Sequence, residues 1–78
     1  MTRFYFDVCA NDELDADSDG QELKGLEVAK SEAMKVLCDL ARDAPPVLPK
    51  QKLSVDVRNC DGNLVFSTML VLSVKQYA

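Results

Sequence analysis

The spacing of apolar residues changes character partway along this chain, and that change most constrains what it can fold into. Phe4, Phe6 and Val8 alternate with Arg3, Tyr5 and Asp7, the period-two signature of a strand with one buried face. From Leu26 the apolar positions are Leu26, Ala29, Ala33, Val36, Leu37 and Leu40, which lie three and four residues apart and form one stripe along a helix. Period two returns at Leu53, Val55 and Val57, set against Ser54, Asp56 and Arg58, and the Asp61-Gly62 pair then signals a hairpin into a last strand from Leu64 to about Val74. Strand, helix, strand, strand in 78 residues leaves room for one α+β domain with one core.

The boundaries follow from local chemistry. Gly25 is a tolerable N-cap, Glu27 places a negative charge in the first helical turn, and Pro45-Pro46 stops the helix, so it is expected over about 26–43. Between the first strand and the helix, Asn11, Asp12, Glu13, Asp15, Asp17, Ser18, Asp19 and Gly20 surround a single large apolar residue, Leu14, and predict an exposed acidic loop. A short fourth strand near 21–23 is a further expectation. The sheet is expected to be mixed or antiparallel with the helix packed on one face, and the crossover between the first two strands to be right-handed if they lie parallel.

The last strand differs in kind from the others. Phe66, Leu70, Leu72 and Val74 point one way and Val65, Met69 and Val71 the other, so both of its faces are apolar. One helix covers one face of a small sheet, which leaves Val65, Met69 and Val71 for a homodimer or another protein partner, or for the carboxy-terminal residues through Tyr77 to cover by folding back. Placing this strand between the other two would also account for its two apolar faces.

Nine basic residues against thirteen acidic ones give a net charge of −4, with the helix cations interleaved among Glu27, Glu32, Asp39 and Asp43, which argues against a nucleic-acid surface. No apolar run approaches membrane-spanning length and the amino terminus lacks the pattern of a signal peptide, so a cytosolic location is expected. Cys9, Cys38 and Cys60 are odd in number and widely spaced, which suits reduced thiols, with Cys38 expected in the core beside the helix stripe. The chain has no histidine, which removes Ser-His-Asp and Cys-His arrangements, and neither glycine-rich phosphate motif occurs. No catalytic residue and no cofactor is expected.

Across its whole length the chain resembles a family of short uncharacterised proteins common in rhizobia and related alphaproteobacteria. The likeness rests on Arg3-Phe4-Tyr5-Phe6-Asp7-Val8, Asp19-Gly20-Gln21-Glu22-Leu23, Leu26-Glu27-Val28-Ala29, Glu32-Ala33, and Val55-Asp56-Val57-Arg58-Asn59-Cys60-Asp61-Gly62. Cys60 and Gly25 depart from it, standing where acidic residues are expected. The resemblance implies an architecture and a bacterial cytosolic setting, and it carries no activity and no site residue.

One pattern points to a ligand. Asp15, Asp17 and Asp19 followed by Gly20 occupy positions one, three, five and six of an EF-hand-like calcium loop, a spacing at which hard oxygen ligands wrap a cation. Position twelve is Leu26 and Glu27 falls one residue late, so the bidentate ligand is missing. The leading expectation is therefore a non-enzymatic interaction module that self-associates through its sheet, by the Val65, Met69 and Val71 face or by a sheet edge, with weak cation binding by the acidic loop 12–22 as the alternative.

Overall fold

The computed structural model describes residues 1–44 and 49–78. Strands β1 (Thr2–Ala10), β2 (Glu13–Asp15) and β3 (Gln21–Leu23) precede helix α1 (Leu26–Asp43), and strands β4 (Lys50–Arg58) and β5 (Leu64–Ser73) follow it. All five strands join one antiparallel sheet in which β1 and β4 are central and β5 forms one edge. The other side of β1 is shared by two short strands: β3 pairs with Thr2–Phe4 and β2 with Val8–Ala10.

The helix occupies the span its periodicity predicts. Ala44 is extended at φ −65° and ψ 136°, the conformation imposed on a residue that precedes proline, and its N–H reaches back to the Ala41 carbonyl at 3.3 Å. The Pro45-Pro46 stop itself lies outside the described residues. Ala29, Ala33 and Leu37 are buried against Phe4, Phe6, Leu53, Val55 and Val57, and the two alanines let the helix backbone approach the sheet closely. Cys38, expected in the core, is exposed, because one residue beyond Leu37 on a helix lies about 100° round from the buried stripe.

Strand order settles two points that the sequence leaves open. β4, not β5, is central, and it pairs antiparallel with β1, so no right-handed parallel crossover arises. The reason lies in β4 itself: Gln51, Leu53, Val55 and Val57 are all buried on the helix side, while Lys50, Lys52, Ser54, Asp56 and Arg58 lie on the face without a helix. A central strand of an antiparallel sheet needs only one apolar face when the other is open. The strand β2 was not expected; it lies within the acidic loop, where Glu13, Leu14 and Asp15 are all exposed and pair by backbone register alone.

Candidate interaction surface

The β1 edge is closed by a device centred on one carboxylate. Between the segments paired to β3 and β2, the Phe6 N–H faces outward, and Asp17 fills the gap by accepting it on Oδ2 at 3.1 Å. Asp17 Oδ1 accepts the N–H groups of Asp19 and Gly20, both at 3.1 Å, which turns the loop back toward β3. Gly20 sits at φ +69°, and a Cβ there would lie 2.9 Å from the Phe4 carbonyl oxygen and from the Tyr5 ring, so the turn requires glycine.

A second layer holds Asp17 from behind. Its own N–H donates to Asp7 Oδ1 at 2.9 Å, and Arg58 donates to Asp7 through Nε at 2.6 Å and Nη2 at 3.0 Å, a two-point grip. Nη2 of Arg58 also reaches the Asp17 carbonyl at 3.1 Å, and the guanidinium lies 5.1 Å from the centroid of the Tyr5 ring, its direct cross-strand neighbour. The hydrogen bonds from Arg58 hold the Asp7 carboxyl below the usual carboxylate range, and Asp7 in turn raises the Arg58 guanidinium. Burial pushes Asp17 up, but the N–H groups of Gly20, Phe6 and Asp19 outweigh it and hold its carboxyl below the usual value.

Asp17 thus lies inward among backbone donors, whereas Asp15 and Asp19 are exposed. The three carboxylates share a loop without converging, and among the described residues no group of three or more His, Cys, Asp or Glu side chains is placed to hold a metal ion. A cavity of about 520 Å³ beside the carboxy-terminal end of α1 is lined by Asn11, Asp12, Glu13, Asp43 and Leu53 among others, with no Ser, Thr, Cys or Lys among its described lining residues. Cys60 is exposed near the hairpin turn and Cys9 half-buried on β1. Among the described residues no helix is long and apolar enough to cross a membrane.

The β5 edge is the opposite case. Its ten residues, Leu64 to Ser73, contain no charge and no proline. Phe66, Thr68, Leu70 and Leu72 turn to the helix side and are half-buried, while Val65 (37% exposed), Met69 (58%) and Val71 (48%) face away from it. The tail does not cover them: Val74 is 58% exposed and Tyr77 82%. Val65 is the extra residue of a β-bulge, since Arg58 pairs with Leu64 and Val57 with Phe66. Around this stripe the open face is polar, with Ser67 donating to Asp56 at 2.7 Å. On the outer side of α1, Val28 and Met34 are exposed singly among Glu27, Lys30, Glu32 and Lys35, the ordinary state of a solvated helix.

The backbone of β5 also faces outward in a defined pattern. The Val74 N–H donates to the Pro49 carbonyl at 2.8 Å, extending the ladder by one pair beyond Lys50 and Ser73. Alternation along an antiparallel pair then directs the amides of Leu72, Leu70 and Thr68 to β4 and those of Ser73, Val71, Met69 and Ser67 away from the sheet. Sequence reading found Val65, Met69 and Val71 from their period but missed Ser67 and Thr68, for which the available signal was the uncharged run itself. The Asp7–Arg58–Asp17 network was missed as well, because its members are distant in sequence.

No curated protein and no solved structure matches the chain. A family model does, the domain of unknown function DUF6894, over residues 3–71. That match takes in β1 through most of β5, the closed edge and the apolar stripe included, and the chain belongs to the DUF6894 family.

Proposed function

We propose that this chain is a non-enzymatic cytosolic interaction module whose working surface is the outer edge of β5, where a partner adds a strand to the sheet. The observation that carries the reading is the contrast between the two edges: β1 is closed by β2, β3 and Asp17, while β5 presents an uncharged row of outward amides beside Val65, Met69 and Val71. Soluble proteins ordinarily blunt an exposed edge with charge, proline or cover, so an edge this long without them is suited to backbone pairing. Cation binding at Asp15, Asp17 and Asp19 is not proposed, since three backbone N–H groups already use both oxygens of Asp17.

The test uses proline, placed by the amide pattern. Met69→Pro removes an outward N–H and leaves the β4 ladder intact, so the variant is expected to fold. Ten-residue peptides displayed on phage and selected on the immobilised chain are expected to shift the amide resonances of β5 and to lose binding to Met69→Pro. Peptides that map to α1 or to the β1–β2 turn, or a selection that yields none, contradict the reading.

A further inference from the structure

Resting on that reading, we infer that the strand added to β5 is β5 of a second copy, antiparallel, about a two-fold axis through Thr68. Three features of the strand and its surroundings support this occupant and this register.

The first is closure. Among the described residues β5 is the one long edge strand, because the far side of β1 carries only the three-residue strands β2 and β3 and the Asp17 carboxylate. Pairing through β5 therefore ends at two copies and cannot propagate as a ribbon.

The second is self-complementarity. With Thr68 opposite itself, Phe66 meets the partner's Leu70, and the bulged Val65 lies beside the partner's Val71. Phe66 and Leu70 of the two chains form an apolar row on the helix side, and the two helices lie on the same side of one continuous sheet. Ser67 and the partner's Met69, whose amides both point outward, become a hydrogen-bonded pair, while Thr68 falls at a non-hydrogen-bonded position.

The third is charge. Lys50, Lys52 and Lys75 lie at the Ser73 end of the strand, since Lys50 pairs with Ser73 and Lys52 with Val71, whereas exposed Asp61 lies in the turn at the Leu64 end. Antiparallel pairing brings the Lys75 end of one strand to the Asp61 turn of its partner, twice per dimer. Parallel pairing would set like charge beside like charge, which disfavours it.

The experiment is light scattering on a size-exclusion column across a wide concentration range, with charge variants of the full chain. The expected result is a concentration-dependent shift to twice the 8.6 kDa of one chain, without larger species. Lys75→Glu and Asp61→Lys should each raise the dimer dissociation constant by roughly two- to thirtyfold, as two exposed ion pairs allow, and the double variant should restore it to within about threefold. Single variants that leave the constant unchanged overturn the antiparallel arrangement. In a background with Cys9, Cys38 and Cys60 replaced by serine, Thr68→Cys should oxidise to a covalent dimer and Met69→Cys should not, because the two Met69 positions would be diagonal and too far apart to bridge. The reverse outcome overturns the register. A monomer at every concentration overturns self-pairing; if displayed peptides still select onto β5, the strand-accepting reading survives that loss, and if they do not, both fail.

Discussion

The two edges of this sheet solve the same physical problem in opposite ways. At the β1 edge a nine-residue strand is covered by two strands of three residues each, and the donor left between them is taken by a carboxylate. At the β5 edge ten residues run with neither cover nor charge. An unpaired edge invites a second chain, and a domain that closes one edge with this much local structure while leaving the other bare has a directional surface. Polar chemistry concentrates on one side of the sheet and apolar chemistry on the other, and the fold needs the first while the second is available to a partner.

The sharpest way to break this contrast is to open the closed edge. Asp17→Ala removes the acceptor for Phe6, Asp19 and Gly20 at once and should lower stability by about 3 kcal/mol, read from the urea midpoint, with Asp17→Asn retaining part of the loss-sensitive network. Gly20→Ala should cost about 2 kcal/mol, since its added Cβ meets the Phe4 carbonyl in a conformation that favours glycine.

Acid offers a graded version of the same experiment. Asp7 and Asp17 both titrate below the usual value of 3.8 when folded, so their contribution to stability is fully present above that value and is lost as pH falls below it through the lowered ones. Stability measured between pH 5 and pH 2, in the conventional range where such carboxylates titrate, should fall more steeply for the native chain than for Asp17→Asn, which removes one of the two groups; about equal slopes would contradict the assignment. The smallest effect on folding belongs to the open edge. Met69→Lys alters an exposed side chain and should change monomer stability by no more than about 0.5 kcal/mol while abolishing association through β5, and a large loss of stability would mean that the open face contributes to the core.

Much of the fold was legible because its signals are local. The helix from Leu26 to Asp43 follows from one stripe and a proline-bounded end, and β1, β4 and β5 from alternation and the Asp61-Gly62 turn. Strand order was not legible: two apolar faces on β5 suggested a central strand, whereas the second face belongs to an open edge. The strand β2 left little trace, since Glu13 and Asp15 pair through backbone alone. At the acidic loop the residues were noticed for a different chemistry. Aspartates two apart before a glycine suit a cation loop, but the same short side chains also cap backbone N–H groups, and Asp17 does so here. Asp7 and Arg58, on the polar faces of separate strands, became partners only once β1 and β4 were known to be neighbours.

The central proposal is that one edge is closed within the chain and that the other closes against a second copy of it. Amide hydrogen exchange at a series of protein concentrations tests it most directly. The account predicts that the Phe6 amide is protected equally at every concentration, while those of Ser67, Met69 and Val71 exchange freely in dilute solution and become protected together as the concentration rises. Outward β5 amides that remain fast at the highest concentration, or concentration-dependent protection that appears on α1 instead, would contradict it.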